Sequence, residues 1–271
     1  MIRRAGGLAA AAALALTLVA GCGDDGDKQS AASTPTVATS APAEQTAPDQ
    51  APSESSESEP APTTPAPSAK PKPRKLRMGT KGPEVVALQE RLTELGYWNG
   101  KADGKFGGGT QQAVFALQKA AGIGRDGVVG GKTKKALDSG VRPKAKSDKG
   151  YVVEIDKKRQ LLMLVDNGEV KEIFNTSTGS GESYETKEGG TAVAHTPAGR
   201  FRIGRQIDGW RDAPLGMLWR PKYFNGGIAV HGAKSVPPYA ASHGCARLTN
   251  SAMNYLWSND KLPLKTRVWV Y

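Results

Sequence analysis

Gly227-Ile228-Ala229-Val230-His231-Gly232, followed by Ser242-His243-Gly244-Cys245-Ala246-Arg247-Leu248, is the stretch on which the reading of this chain turns. A short apolar β run ends on a histidine, and fourteen residues later a thiol follows a glycine turn. The chain holds only two cysteines. The other, Cys22, closes Leu18-Val19-Ala20-Gly21-Cys22 at the end of an apolar leader. If Cys22 carries lipid, Cys245 is left without a disulfide partner. A lone thiol in an exported protein, beside two of its three histidines, is a candidate nucleophile.

Thiol chemistry needs a thiolate, a base to take its proton and donors for the oxyanion. His231 suits the base, since a neutral imidazole accepts protons near physiological pH. Gly244 permits a tight turn that lets the Gly244 and Cys245 amides address one oxygen. His243 and Arg247 are placed to orient a carboxylate or to hold the loop. A zinc site is the rival, because His231, His243 and Cys245 are all competent ligands. It needs a fourth, from His195 or an acidic residue, and His195 otherwise reads as a loop residue. An inert buried cysteine between two polar loop histidines is the remaining alternative.

Around this stretch the pattern from Gly150 onward is that of strands. Tyr151-Val152-Val153-Glu154-Ile155 and Gln160-Leu161-Leu162-Met163-Leu164-Val165 are two runs. Asp166-Asn167-Gly168 then signals a hairpin returning through Val170-Lys171-Glu172-Ile173-Phe174. Phe201-Arg202-Ile203 and Arg267-Val268-Trp269-Val270-Tyr271 supply further strands. A helix starts near Thr249 or Asn250 and carries Met253, Leu256 and Trp257 inward. Trp210 and Trp219 sit in glycine-rich loops and are candidates for a groove wall.

Residues 76–140 read as three short helices about one small core. Val85, Leu88, Leu92 and Leu95 make an amphipathic stripe after Pro83 that stops at Gly96. Asp103-Gly104-Lys105-Phe106-Gly107, with Thr110 and Ala113, recurs as Asp126-Gly127-Val128-Val129-Gly130, with Thr133 and Ala136. Each half is a glycine turn, an apolar plug and a helix start. A short basic connector, 141–149, separates this part from 150–271.

The N-terminal segment is of another kind. Residues 1–21, with Arg3-Arg4 and an apolar run from Leu8 to Ala20, read as a lipoprotein signal peptide cleaved before Cys22. An ordinary signal peptide or an uncleaved anchor is the alternative. From Gly23 to Lys75 there is no aromatic residue, and ten of the eighteen prolines fall there, so the segment 22–75 reads as a disordered, extended tether. The net charge of +11 admits anionic partners, but export and the lack of interleaved aromatics argue against nucleic acid.

Two resemblances follow. Gly82, Val85, Leu88, Gln89, Leu92, Leu95, Gly96 and Tyr97, with both Asp-Gly turns, resemble the peptidoglycan-binding domain type 1, which implies affinity for wall glycan or peptide stems. His231-Gly232, Ser242-His243-Gly244-Cys245-Ala246-Arg247-Leu248 and Thr196-Pro197-Ala198-Gly199-Arg200-Phe201 resemble the L,D-transpeptidases of the YkuD family. Two departures are the compact Gly232–Ser242 loop with Pro237-Pro238, and a polar insertion from Gly181 to Ala194 expected to act as a flap.

The resemblance implies a multidomain chain, a three-helix module followed by a mainly-β, β-sandwich-like catalytic domain. It implies that Cys245 attacks a tetrapeptide stem before its terminal D-Ala. His231 would be the base, oriented by the Gly232 carbonyl, with Ser242, His243, Gly244 and Arg247 completing the catalytic set and Tyr223 and Gly227 bordering the substrate. An amine acceptor gives a 3-3 cross-link, and water gives L,D-carboxypeptidase activity. Carbapenems are the inhibitors it implies, with no cofactor or metal. A lipid anchor would hold the enzyme on the outer membrane face toward the wall.

Overall fold

An apolar run with no alternation has to be covered on both faces, and Leu161-Leu162-Met163-Leu164-Val165 is such a run. All five side chains are buried, and successive ones enter different cores. Leu161, Met163 and Val165 pack with residues of the helical part such as Val85, Leu92, Tyr97 and Leu117. Leu162 and Leu164 pack instead with Phe224, Val230, Ala246, Leu248 and Met253. One strand therefore holds the helical part against the β part. The computed structural model describes residues 75–271. The expected signal peptide, Cys22 and all but the last residue of the tether lie outside the described residues.

The helices are α1 (Pro83–Glu94), α2 (Gly108–Ala120) and α3 (Gly131–Asp138). Pro83 opens the first, where a missing N–H costs nothing. The internal repeat becomes a repeated hydrogen-bond latch. Gln89 Nε2 donates to Asp103 Oδ1, Lys105 O and Thr110 Oγ1 at 3.0, 3.1 and 2.9 Å, and its Oε1 accepts from Gly104 N. Gln118 does the same with Asp126, Val128, Thr133 and Gly127. Both turn glycines sit at φ 70°, and a Cβ on Gly127 would come within 2.8 Å of the Phe115 ring. The repeated residues are scaffold, each turn closed on a buried amide.

The strands are β1 (Tyr151–Asp156), β2 (Leu161–Asp166), β3 (Glu169–Asn175), β4 (Ser183–Glu185), β5 (Thr191–Val193) and β6 (Gly199–Arg202). They continue as β7 (Arg205–Gln206), β8 (Trp210–Ala213), β9 (Gly216–Asn225), β10 (Ile228–Ala233), β11 (Ala246–Thr249) and, after α4 (Asn250–Ser258), β12 (Arg267–Val270). Asn167 and Gly168 join β2 to β3 with φ of 49° and 83°, the positive pair a tight hairpin turn requires. One sheet runs β3-β2-β1-β12-β6, a second runs β11-β10-β9-β7 with β8 also on β9, and β4-β5 is a hairpin of its own. The Thr249 hydroxyl caps α4 by accepting from Ala252 N at 3.1 Å. Met253 and Leu256 are fully buried, while Trp257 is only half-buried. The architecture is thus a three-helix module on a mainly-β domain.

The connector is pinned at both ends. Tyr97 Oη donates to Val141 O at 2.8 Å, and the Glu154 carboxylate accepts from the Lys146 and Ser147 amides, the Ser147 hydroxyl and Tyr271 Oη. Trp98 N donates to Ile173 O at 3.0 Å and Ile173 N to Gly96 O at 2.8 Å, so the helical module extends the edge of the first sheet. Lys119 of α2 is buried and donates to the Gln160 and Thr176 carbonyls, at 2.8 and 3.0 Å, and to Asn175 Oδ1. Burial pushes its amine down to about 6. Three acceptors for three N–H bonds act against that by favouring the ammonium.

Candidate active site

Adjacent parallel strands bring the two halves of the signature together. β10 and β11 pair with Val230 opposite Ala246 and His231 opposite Arg247. Cys245, one position before β11, therefore falls beside Ala229. Its Sγ accepts from the Ala229 amide at 3.4 Å and its S–H points to Gly227 O at 3.8 Å. Side chains two apart on a strand share a face, so Cys245 and Arg247 stand on one side, as do Ala229 and His231. Cys245, His231 and Arg247 all line a cavity of about 730 Å³.

His231 is 3% exposed, and its ring nitrogen Nδ1 lies 2.9 Å from Gly232 O. A carbonyl only accepts, so Nδ1 carries the proton and Nε2 keeps its lone pair. Burial pushes this imidazole down to about 4; the Gly232 bond works the other way and the Arg247 charge adds to the fall. Burial also pushes the half-buried Cys245 thiol up, against the Ala229 amide and Arg247, which favour the thiolate. At neutral pH both are uncharged. No hydrogen bond joins them among the described residues.

Gly232 is required by its neighbours. A Cβ there would fall 2.7 Å from Asn250 Oδ1 and 2.8 Å from Trp219 Cδ1. That tight fit fixes the carbonyl on which His231 depends.

The turn before Cys245 is braced from inside. Gly244 has φ +146°, and a Cβ would lie 2.9 Å from His195 O. Its amide donates to Ser242 Oγ at 3.0 Å, while the Ser242 hydroxyl donates to Cys245 O at 2.6 Å. The expectation that the Gly244 and Cys245 amides address one oxygen is corrected by this bond, because the Gly244 N–H is already engaged. Thr196 Oγ1 donates to Gly244 O at 2.6 Å and accepts from Gly179 N at 2.9 Å, which gives the Thr-Pro-Ala-Gly segment a bracing part in the turn before Cys245.

The other expected residues divide. Gly227, Ser242, His243 and Gly244 line the cavity. His243 is exposed and meets the Tyr184 ring edge-on, centroids 4.7 Å apart, so it contacts β4-β5, which lies within the polar 181–194 segment. Arg247 holds the loop through Ala241 O at 3.1 Å. Tyr223 is 5% exposed and not at the cavity; it lies under the Arg205 guanidinium at 3.7 Å. Its placement beside the substrate is therefore corrected, since β9 buries it against the neighbouring β7. His195 lies at the cavity rim, and among the described residues the histidines, Cys245 and acids form no cluster spaced for a metal ion.

Trp210 lines the cavity and Trp219 backs it, their centroids 5.0 Å apart. Sequence reasoning missed Tyr184, Leu215 and Met217, which also line it, the last two largely exposed. The available signal was the turn Ala213-Pro214-Leu215-Gly216-Met217, apolar where a loop tip is ordinarily polar.

A family model described as an L,D-transpeptidase catalytic domain (YkuD) matches residues 150–270, and one described as a putative peptidoglycan binding domain matches residues 81–137. The crystal structure of an L,D-transpeptidase from Xylanimonas cellulosilytica is 53% identical, with a TM-score of 0.72, over 75% of this chain and 100% of that one. The chain belongs to the L,D-transpeptidase (YkuD) family. Among curated relatives, a spore cortex-lytic enzyme of Oceanobacillus iheyensis is 36% identical over 126 residues, 46% of this chain and 44% of that protein. The N-acetylmuramoyl-L-alanine amidase CwlL of Bacillus licheniformis is 46% identical over 78 residues, 28% of this chain and 22% of its own length. This YkuD-family chain thus spans less than half of those relatives.

Proposed function

We propose that the chain is a peptidoglycan L,D-transpeptidase with Cys245 as nucleophile and His231 as base. The observation that carries this is the His231 Nδ1–Gly232 O bond, which leaves the Nε2 lone pair free on a side chain that lines the same cavity as Cys245. Sγ attacks the carbonyl between the third stem residue and the terminal D-Ala as its proton passes to Nε2. The tetrahedral intermediate collapses, the imidazolium returns that proton to the leaving amine, and D-Ala departs, leaving a thioester. An amine of a second stem then gives a proton to Nε2 and attacks the thioester. The sulfur leaves and takes that proton back. The product is a 3-3 cross-link. Ser242, Gly244 and Thr196 hold the turn, and Arg247 favours the thiolate as it forms.

Stem peptides and glycan are the proposed partners, with the helical module adding local substrate concentration. We place the enzyme on the outer membrane face, lipid-anchored at Cys22, on the strength of the Leu18–Cys22 sequence. Mass analysis of the mature N-terminus tests that; an unmodified first residue rejects it.

The catalytic proposal is tested by incubating the chain and Cys245→Ala with disaccharide-tetrapeptide and reading products by mass spectrometry. Loss of D-Ala with dimer formation, absent in the variant, is expected. Loss of D-Ala to tripeptide alone would replace the transferase with an L,D-carboxypeptidase. No change in either sample would leave a wall-binding protein without catalysis. A carbapenem should add its mass to Cys245 and not to the Ala variant.

A further inference from the structure

One wall of the cavity is the loop between Gly232 and Ser242, of which Ala233, Lys234 and Ser235 line the site. Its middle, Val236-Pro237-Pro238, has two residues without an N–H, so this stretch is held chiefly through its carbonyls. Two of those carbonyls are taken by the helical module. Gln112 Nε2 of α2 donates to Val236 O at 3.1 Å, and the Arg125 guanidinium donates to Pro238 O at 3.0 Å. Asn175 Nδ2 adds a bond to Val236 O at 3.3 Å and donates to Gln112 Oε1 at 2.5 Å, while the Lys119 ammonium holds the Asn175 carbonyl oxygen. Val236 is 4% exposed. Farther on, the loop returns to the catalytic domain, with Tyr239 O on Ser177 Oγ at 2.8 Å and Ala241 N on Thr178 O at 3.0 Å.

We infer that Gln112, Lys119 and Arg125 are positioning residues of the active site, and that the helical module clamps residues 236–238 and through them the cavity wall formed by residues 233–235. The module then does more than carry the enzyme to the wall, because without it Pro238 O loses its partner and Val236 O keeps only the Asn175 amide. The inference rests on the proposed reaction at this cavity. Since Cys245 and His231 are set by the pairing of β10 with β11 and by the Ser242 turn, and not by the Val236 and Pro238 carbonyls, loosening the clamp affects how the substrate is held and leaves the nucleophile intact.

The test uses the full chain with Arg125→Ala, Gln112→Ala and the double variant. Arg125→Lys serves as the conservative rescue, and Lys134→Ala, whose side chain is exposed on α3, is the control. Hydrogen exchange of the 233–241 amides, kcat and KM with disaccharide-tetrapeptide, and the rate of Cys245 alkylation by iodoacetamide are read together. The double variant should exchange those amides about tenfold faster and raise KM about tenfold. Alkylation and exchange in β2 should stay unchanged, Arg125→Lys should recover part of the KM, and Lys134→Ala should match the unaltered chain. Unchanged loop exchange in the double variant, or faster exchange with KM unmoved, overturns the inference. If the unaltered chain transfers nothing, the proposed function fails by itself, and loop exchange still decides whether the module clamps the wall.

Discussion

Lowering the pH from about 7 to about 4 should cost the folded chain about 3 kcal/mol through His231 alone. Burial holds this imidazole at about 4 where the ordinary value is 6.5. A gap of about 2.5 pH units, at about 1.36 kcal/mol each, gives that figure. Between the two values the unfolded chain binds the proton and the folded chain does not, so stability rises with pH across the window. The contribution is complete above 6.5 and is lost as the pH falls through about 4. Urea unfolding of the chain and of His231→Asn, at steps between those limits, isolates it from the other titrating groups. The unaltered chain should lose about 3 kcal/mol more than the variant on acidification. The acid limb of kcat/KM in the unaltered chain should fall near 4, with activity kept at about pH 5.5. Parallel stability curves, or an imidazole titrating near 6.5 by NMR, would refute the reasoning.

Gly232→Ala should lower stability by about 1–3 kcal/mol, because its Cβ meets Asn250 and Trp219 below 3 Å, and should lower kcat more than KM by moving the carbonyl that holds His231. Steady-state kinetics beside thermal unfolding checks both. Gln118→Ala leaves Asp126, the Gly127 amide, Val128 O and Thr133 without their shared partner, and a loss of about 3 kcal/mol is expected by denaturant unfolding. Lys119→Met removes a buried amine but strands Thr176 O and Asn175 Oδ1 and leaves Gln160 O with the Thr176 amide alone; a loss of about 2–4 kcal/mol is expected, and a gain would show that its desolvation outweighs those bonds.

Much of this was legible because the signals are local. Asn167-Gly168 specifies a turn whatever surrounds it, since few residues other than glycine and asparagine accept those dihedrals. Pro83 and the Val85–Leu95 spacing specify a helix, and the doubled Asp-Gly turn marks two equivalent helix starts. The candidate site was half legible. A histidine after an apolar run and a thiol fourteen residues on announce chemistry, although His231 lies within β10 and Cys245 just before β11; the Gly244 amide was misassigned because its bond to Ser242 depends on how the turn closes. Tyr223 was placed beside the substrate by resemblance to a family motif, which fixes its position along the chain, and only the neighbouring strand shows that its face is filled.

By itself the sequence determined the three helices of the module, the core strands and the residue types carrying the chemistry, because backbone sterics and side-chain period act over a few positions; Trp210 and Trp219, read as loop residues, lie in β8 and β9, whose polar faces carry no local apolar signal. The tertiary structure alone decided that the second face of β2 is covered by the helical module, that the Lys119 ammonium ends among carbonyls of the catalytic domain, and that Gln112 and Arg125 hold the cavity wall. Those contacts join residues 41 to 124 positions apart. Their partners are chosen by which buried groups would otherwise go unpaired, and no local pattern encodes that.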